Sequence, residues 1–477
     1  MTKRGIFSGV AWTAASSWSI QLVNLGVFVV LARMMDSAAF GLVAMAGIFI
    51  HISEILVDQG LSTAVVQKQE LEPEHTDTAF WLSVGFGILL TGIGVLLSGP
   101  IARLFREPGL QPVVALLSLN FFLTALTGVQ RALLMRRFAF RLLAIRNFGA
   151  SVVGGVVAVA MALAGHDAMA LVALQLATAV AGVALLWAVG GWRPGLRFSR
   201  AHAGELLSFG RNIVGIRVLN ATSRRSDDLL IGYFLGSTAL GYYTIAYKIF
   251  KILVEVFTKI VSRVALPAFA SVQQDQAKLR AAFCSAVKLS SLISFPMFVG
   301  LGVLAPDVVP LLFGPEWLPA VPVMQVLALM GLLQAVHLLI NQVLIAAGRP
   351  SWTFRFLLGS SLVTVLAFGL VVRWGIVAVA AAYTVVGYAL SPVYFVMLRR
   401  LLGLRTGEFF RHLRTPALAS ALMAAAMLAA RSLAQGALPP LAAAVAAGCA
   451  GGLAYAGVVL RLEPDFLATL RGWAGRG

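Results

Sequence analysis

The sequence predicts an all-α polytopic membrane protein with about 14 transmembrane helices. Of its 477 residues, 60% are apolar and only 12% are charged, whereas about a quarter of the residues in soluble domains are charged. Apolar segments of about 20 residues, long enough to cross a bilayer, recur from one end of the chain to the other. No polar stretch between them would accommodate a soluble catalytic domain, so the function must lie inside the helical bundle or on short loops.

The predicted spans are windows of about 20 apolar residues that end at charge, glycine or proline. They lie at 7–32, 40–64, 78–99, 111–131, 145–164, 168–190, 211–235, 240–262, 283–305, 320–345, 355–373, 376–397, 415–434 and 438–460. The first span follows a basic start, as the apolar region of a signal peptide does. Because it is longer, contains Gln21 and Asn24 and lacks a small-residue cleavage site, we interpret it as a retained helix.

Arginine is concentrated in the loops on one side of the predicted membrane. The loops after spans 4, 6 and 12 carry Arg136, Arg137, Arg141, Arg146, Arg193, Arg197, Arg200, Arg399, Arg400, Arg405, Arg411 and Arg414. The alternate loops contain few lysines and arginines, and an even number of spans places both termini on one side. The positive-inside rule therefore assigns both termini to the cytoplasm. It also accounts for the net charge of +18 without nucleic-acid binding.

Residues 209–263 contain an unusual number of charges for two membrane-spanning segments. A charged side chain near the bilayer centre costs about 2.5–3.5 kcal/mol, so such residues normally face protein or a water-filled cavity. At 100° per residue, the charges of spans 7 and 8 form one row on each helix. We therefore predict a cationic cavity whose basic residues bind an anion and whose acids are candidates for ion coupling. The basic candidates are Arg217, Arg224, Arg225, Lys248, Lys251 and Lys259; the acids are Asp227, Asp228 and Glu255; Asn220 lies in the first row.

Two other interpretations of these charges stay open. The rows could be the solvated faces of cytoplasmic helices. Alternatively, some pairs could only lock helices together, as Arg224 and Asp228 would at i, i+4.

Polar residues on two further spans could line the same cavity. His51, Glu54 and Asp58 share one face of span 2 and could instead mark its solvated end. His337 and Asn341 share one face of span 10, where interhelical hydrogen bonds are an equally good explanation. The chain contains no G-x-S-x-G, no H-E-x-x-H and no phosphate-binding glycine loop, so neither a catalytic nor a metal site is predicted.

The chain also contains an internal repeat. Residues 31–46 (LARMMDSAAFGLVAMA) align with 231–246 (IGYFLGSTALGYYTIA), and each segment includes a tight turn between two helices. An even number of spans separates the segments, so the repeat is parallel. It predicts two pseudo-symmetric six-helix bundles, followed by an amphipathic linker and helices 13 and 14. The predicted domains are 1–200, 201–400 and 401–477, and 194–209 and 404–413 are expected as interfacial amphipathic helices.

The segment SRRSDDLLIGYFLGSTALGYYTIAYKI, which begins at Ser223, resembles the pattern of the bacterial polysaccharide-transport flippases. Further similarity lies in DQGLSTAVVQ, LPAFASVQQDQAKL, LFGPEW and AGR, and it covers nearly the whole chain. The sequence is most similar to the Wzx-type exporters of O-antigen and colanic-acid precursors. That group belongs to the multidrug/oligosaccharidyl-lipid/polysaccharide exporter superfamily. The sequence departs from the family pattern at Ser226, often Asn, and at Tyr233, often basic.

The resemblance implies a flippase of the bacterial inner membrane that moves an undecaprenyl-diphosphate-linked oligosaccharide to the periplasmic leaflet by alternating access. Its implied role is in O-antigen, capsule or exopolysaccharide biosynthesis, as a transporter and not an enzyme. Expected partners are the lipid-linked oligosaccharide, membrane lipids and the polysaccharide polymerase machinery. No cofactor is expected besides a coupling ion, H⁺ or Na⁺. A multidrug/cation antiporter and a membrane polysaccharide polymerase or ligase are the alternatives.

Overall fold

The computed structural model confirms the all-α prediction over the residues it describes. These are 3–58, 61, 65–66, 71–205, 225–434 and 438–463, without the side chains of 3–18, 52, 54–56, 58, 260, 263 and 264. The helices are α1 (Lys3–Met34), α2 (Ser37–Asp58), α3 (Pro73–Phe105), α4 (Leu110–Leu117), α5 (Leu119–Ala125), α6 (Gly128–Arg136), α7 (Phe140–Leu163), α8 (Asp167–Val189), α9 (Ser226–Ser271), α10 (Gln276–Phe313), α11 (Ala320–Ala346), α12 (Pro350–Val371), α13 (Ile376–Leu402), α14 (Thr406–Ala434) and α15 (Pro440–Leu462). Short 3-10 turns lie at Pro315–Trp317 and Val372–Trp374.

These helices make the chain a multi-pass membrane protein. Inside hydrocarbon every backbone N–H and C=O must be paired within the protein, and a helix satisfies this along its whole length. Within the described ranges, 10 helices are long and apolar enough to cross a membrane, or 11 if the bent series α4–α6 forms one span. Ser19–Met34 and Ser37–His51 are shorter apolar helices. Each predicted span contains a described helix, but 211–235 is described only from Arg225 onward.

The helix ends follow from local sequence. Pro73 and Pro440 begin α3 and α15, at a position where the missing N–H costs nothing. Asp275 caps α10 by accepting a 3.0 Å hydrogen bond from the backbone N–H of Lys278. That bond holds the pKa of the Asp275 carboxyl below its usual value. Gly403, at φ +63°, ends α13 in the left-handed conformation that glycine adopts without strain.

By its internal contacts the chain divides into two compact units, Met1–Gly241 and Tyr242–Gly477. The predicted division at 200 and 400 stays a prediction. In the first unit Phe80 of α3 lies in a core with Val129 of α6, and the rings of Trp187 and Trp192 pack edge-on against it. In the second unit Phe283 of α10 belongs to a core that joins α9, α10, α11 and α13. Such close packing stabilises helix association in lipid, where apolar burial alone does not.

In the first unit, the segment that follows α8 lies against the start of α3. The backbone N–H of Gly195 donates to Oδ1 of Asp77 at 3.0 Å, and its carbonyl accepts from Nε1 of Trp81 at 2.8 Å. The backbone N–H of Ser199 donates to Oγ1 of Thr78 at 3.1 Å. Three hydrogen bonds therefore hold this segment on the first three turns of α3.

The second unit contains a corresponding arrangement at the start of α10. Nε2 of Gln276 donates to the carbonyl of Leu401 at 2.8 Å, and Arg280 donates to the carbonyl of Gly403 at 3.4 Å. Arg280 also forms an ion pair with Glu408 of α14. In each unit, therefore, the chain that follows the predicted sixth span of the repeat is fixed on the start of its third span.

Neither expected interfacial helix has the predicted bounds. Residues 191–199 are non-helical and a helix begins at 200, because the hydrogen bonds to α3 replace those of a helix. Residues 206–209 lie outside the described residues. Residues 406–413 are the first turns of α14, because no break separates them from the span that follows.

The internal repeat is visible at two helix breaks and is confirmed. α1 ends at Met34 and α2 begins at Ser37, while α9 breaks at Gly236, where φ is +83°. A Cβ on Gly41 would lie 1.8 Å from the carbonyl oxygen of Ser237, and one on Gly241 would lie 1.9 Å from that of Ser37. The contact is reciprocal, as a pseudo-two-fold relation between repeated segments requires. The predicted turn 236–241 is shorter than expected, because the helix resumes directly after Gly236.

Candidate functional site

The part of α9 that follows Gly236 carries four charged residues on one face. Lys248, Lys251, Glu255 and Lys259, which we term the lysine row, follow one another at steps of three and four residues. At 100° per residue this spacing places them on one side of the helix. The row belongs to a candidate membrane span, Ser226–Lys259. Three cations and one anion on a membrane helix require water or polar groups around them.

The lysine row is accessible because the opposite face of α9 is packed. Tyr243, Phe250 and Phe257 lie roughly 125–165° around the helix from the centre of the row and are at most 4% exposed. By contrast, 52% of the Lys251 side chain and 41% of the Glu255 side chain are exposed. The aromatic residues therefore hold the helix in the second unit and leave the charged face accessible.

The row also extends across much of the depth of a membrane. At 1.5 Å per residue, Lys248 lies about 18 Å along the axis from the break at Gly236 and Lys259 about 35 Å. The hydrocarbon core of a bilayer is about 30 Å thick. With the break near one surface, the row extends from the middle of the membrane to the opposite surface.

Lys251 and Glu255 form an ion pair within the row. Nζ of Lys251 lies 3.8 Å from Oε1 of Glu255, one helical turn further along. A lysine placed before its glutamate is the weaker order for an i, i+4 pair, and exposed pairs contribute about 0–1 kcal/mol. Such a weak pair can be exchanged for an anionic ligand at little cost.

The start of α9 carries the predicted acids in buried positions of the first unit. Asp227 and Asp228 are 8% and 7% exposed. Nη1 of Arg225 donates to Oδ2 of Asp228 at 2.7 Å, and 38% of the Arg225 side chain is exposed. Arg225 and Asp228 therefore form an ion pair in this structure, and their predicted roles in substrate binding and ion coupling stay predictions. Three other predicted residues of this segment lie outside the described residues: Arg217, Asn220 and Arg224.

The predicted polar residues of span 2 are described only in part. His51 lies on α2 and its side chain is exposed. Glu54 and Asp58 belong to the same helix, but their side chains lie outside the described part of the structure. The proposal that the three line a cavity therefore stays a prediction.

His337 and Asn341 of α11 make hydrogen bonds with α13. Nε2 of His337 lies 3.2 Å from Oγ of Ser391, and the hydroxyl of Tyr394 donates to Oδ1 of Asn341 at 3.1 Å. The rings of His337 and Tyr394 are 4.4 Å apart. These contacts give both residues a packing role between the two helices.

Two features of the first unit were not predicted. Glu107, which follows α3, accepts hydrogen bonds from the backbone N–H and the hydroxyl of Ser237, at 3.0 and 2.7 Å. His75 and His202 stack with ring centroids 3.6 Å apart. The paired spacings Glu72-x-x-His75 and His202-x-x-Glu205 are a signal for the second feature, since each places a histidine and a carboxylate on one helical face.

Comparison with known proteins identifies the family. The family described as "Polysaccharide biosynthesis protein" matches residues 30–322, more than half of the chain. The lipopolysaccharide biosynthesis protein WzxC of Escherichia coli (strain K12) is 30% identical over 417 residues, which cover 86% of this chain and 84% of that protein. The teichuronic acid biosynthesis protein TuaB of Bacillus subtilis (strain 168) is 28% identical over 426 residues, which cover 88% of this chain and 87% of that protein.

A solved structure shows the same fold. The lipid II flippase MurJ, in an inward closed conformation, superposes with a TM-score of 0.77 over 96% of this chain and 100% of that chain, at 12% identity. At this identity the likeness concerns the fold alone. Sequence and fold agree, and the chain therefore belongs to the polysaccharide biosynthesis protein family, the polysaccharide-transport flippases that its sequence resembles.

Proposed function

We propose that the protein moves an undecaprenyl-diphosphate-linked oligosaccharide from the cytoplasmic to the periplasmic leaflet of the bacterial inner membrane by alternating access. The product would supply a cell-surface polysaccharide, through the polymerase machinery that acts on the periplasmic side. Family membership supports the class of transport. The charge of the candidate site supports the class of substrate.

The accessible lysine row carries this proposal. A diphosphate is multiply anionic, and a membrane route for it must supply cations that are accessible and closely spaced. All three lysines of the row are accessible. Lys248 and Lys251 lie about 4.5 Å apart along the helix axis, and Lys259 follows about 12 Å further along. A lysine ammonium is a point charge on a flexible stem, so it can follow a headgroup over such distances.

The lysine row favours this substrate over a cationic drug. A cation antiporter needs net negative charge in its transport route, whereas the row has three lysines and one glutamate. Flipping also breaks no covalent bond, and we infer that the protein is not an enzyme. Among the acids considered for ion coupling, we assign that role to Glu255, whose carboxylate can take H⁺ or Na⁺ when Lys251 engages the substrate.

Leaflet-resolved detection of the lipid-linked oligosaccharide in depleted cells tests the direction of transport. Cells that lack the protein should accumulate the intact lipid-linked oligosaccharide in the cytoplasmic leaflet, and expression of the full chain should move it to the periplasmic leaflet. Accumulation in the periplasmic leaflet of depleted cells would instead indicate a polymerase or ligase, and would contradict the proposal.

The variant Lys251→Ala tests the substrate contact. A charge-assisted hydrogen bond contributes about 1.5–3 kcal/mol, so the apparent affinity of the purified protein for the lipid-linked diphosphate should fall about ten- to a hundredfold. Lys251→Arg should retain most of it. Lys278→Ala is the matched control, because Lys278 is 74% exposed and its ion pair with Asp275 lies outside the row. Equal affinities for Lys251→Ala and Lys278→Ala would refute the role of the row.

A further inference from the structure

Two histidines and two glutamates of the first unit converge where the segment after α8 meets α3. Glu72 directly precedes α3 and His75 lies in its first turn. His202 and Glu205 lie in the helical residues 200–205. Each segment contributes one histidine and one glutamate at a spacing of three residues.

The two pairs are joined across the segments. Nε2 of His75 lies 3.8 Å from Oε2 of Glu205, and Nε2 of His202 lies 3.9 Å from Oε2 of Glu72. Nδ1 of His75 lies 3.8 Å from Oε2 of Glu72. One ligand atom each from Glu72, His75 and His202 lies within 4.8 Å of the others. The cluster therefore presents nitrogen and carboxylate ligands around one point.

A cation would relieve the electrostatic conflict in this cluster. The imidazole rings stack at 3.6 Å with 27° between their planes, so protonation of both would bring two like charges together. With both rings neutral, a nitrogen lone pair that faces a carboxylate is repelled by it. Nδ1 of His202 is also buried with no hydrogen-bond partner among the described residues. A metal ion bound between Glu72, His75 and His202 removes the repulsion between the ring nitrogens and the carboxylate of Glu72.

The second unit contains another cluster of candidate metal ligands, which differs from the first in the environment of its carboxylate. Cys284, Glu408 and His412 also present ligand atoms within 4.8 Å of one another. There the guanidinium of Arg280 forms an ion pair with Glu408, so the carboxylate already has its cation. In the first unit, Arg136 lines a cavity beside Glu72, and its Nη1 donates to the carbonyl of Val65 at 3.2 Å.

We propose that Glu72, His75 and His202 bind one Zn²⁺ ion through Oε2, Nδ1 and Nε2, respectively, with water as the fourth ligand. Glu205 faces Nε2 on the other side of the His75 ring and orients that ring. Imidazole and carboxylate are ordinary zinc ligands at about 2.0–2.2 Å, which places neighbouring ligand atoms roughly 3.4 Å apart in a tetrahedron. Closure from 4.8 Å requires side-chain rotation of about an ångström, which is available because Glu72 is exposed and His202 is half-buried. Imidazole ligands disfavour Mg²⁺ and Ca²⁺, which prefer oxygen.

The ion would fix residues 200–205 to the first turn of α3. The hydrogen bonds of Gly195 and Ser199 already hold the preceding segment there. A metal bridge between the two histidines would extend this attachment to the end of the described segment. It would make the position of the chain after α8 depend on zinc.

Zinc binding by the detergent-purified full chain tests the proposal. After removal of metal with a chelator, the protein should take up one equivalent of Zn²⁺, and Co²⁺ should give the visible absorption of a tetrahedral site. Loss of a zinc ligand should weaken binding by at least about a hundredfold. We expect this for His75→Gln and His202→Gln. His166→Gln, which changes an exposed histidine that directly precedes α8, should bind zinc as the unaltered chain does.

Three results would overturn the proposal. They are the absence of stoichiometric zinc, a Co²⁺ spectrum without tetrahedral bands, and equal zinc affinities for His202→Gln and the unaltered chain. A thermal unfolding curve of each metal-free variant separates loss of the site from loss of the fold. A variant that unfolds at the temperature of the metal-free parent but has lost zinc binding supports the site, and unchanged zinc binding in that variant refutes it.

Discussion

Carboxylates cap two repeat-related helix starts in different ways. Asp36 precedes α2 and its Oδ1 accepts from the backbone N–H of Ala39 at 2.8 Å. The equivalent position in the second repeat is Gly236, which has no side chain and cannot cap. Glu107, from a different part of the first unit, supplies the carboxylate there and accepts from Ser237. A negative charge at a helix N-terminus also interacts favourably with the helix dipole.

Glu107→Ala should destabilise the protein by about 1–3 kcal/mol, because it removes the acceptor of two hydrogen bonds and leaves a backbone N–H without its partner. Glu107→Gln should cost less, since it keeps an acceptor oxygen and loses only the charge. Thermal unfolding in detergent measures both effects. Glu74→Ala, at an exposed position in the first turn of α3, is the control, and an equal midpoint for it and Glu107→Ala would contradict the capping role.

The distance along the sequence between two residues explains which side-chain arrangements could be predicted. The lysine row was predictable, because i, i+3 and i+4 spacing within one helix fixes a shared face. The contact between Glu107 and Ser237 was not, because 130 residues separate them and no local pattern specifies the pairing. The same holds for His75 and His202, whose spacing to neighbouring glutamates is local but whose stacking depends on how the segment after α8 packs.

Among the helices, one close backbone approach in the first unit follows from small residues. A side chain larger than hydrogen at Gly41 or Gly241 would meet a backbone carbonyl at under 2 Å. Small residues let helix backbones approach closely in membranes, where packing drives association. Because Ser37 and Ser237 are the partners, each repeat supplies one glycine and one serine. This contact gives a physical reason for the identities found by aligning the two segments.

Gly41→Ala should destabilise the protein by about 1–3 kcal/mol or more, since a backbone carbonyl cannot rotate away as a side chain can. Gly241→Ala should have a similar effect, because the contact is reciprocal. Gly47→Ala is the matched control on the same helix: its Cβ would meet nothing within 4 Å, and alanine is up to about 1 kcal/mol better than glycine inside a helix. Thermal unfolding and membrane abundance measure the effects, and equal stability of Gly41→Ala and Gly47→Ala would contradict the close contact.

The spans were predictable as elements, but several helix ends were not. Span 9 was expected at 283–305, whereas α10 covers Gln276–Phe313. An apolar window ends at the first charges, yet a helix continues beyond hydrocarbon wherever caps and contacts support it. Asp275 and Arg280 provide these at the start of α10. Composition therefore predicts which segments cross the membrane, and tertiary contacts determine where each helix ends.

Across the whole chain, contacts between loops support the predicted topology. In the first unit Arg136 bonds Val65 and Asp77 bonds Gly195, which joins the loops after spans 2, 4 and 6 at one end. In the second unit an ion pair of 3.0 Å joins Asp307, just after span 9, to Arg431, near the end of span 13. Consecutive loops must lie on opposite sides of a membrane. Each of these contacts joins segments that the predicted topology places on the same side.

The arginines then predict which side is cytoplasmic. The loops after even-numbered spans carry most of the arginines, and positive residues are retained on the cytoplasmic side during insertion. A periplasm-active reporter fused after Gly477 should therefore be silent, and one inserted at Glu316, in the 3-10 turn between α10 and α11, should be active. Glu316→Cys, in a chain with Cys284 and Cys449 replaced by alanine, should react with a membrane-impermeant thiol reagent added to the periplasm. The opposite pattern in both assays would invert the topology and with it the proposed direction of transport, because the lysine row would then open towards the periplasm.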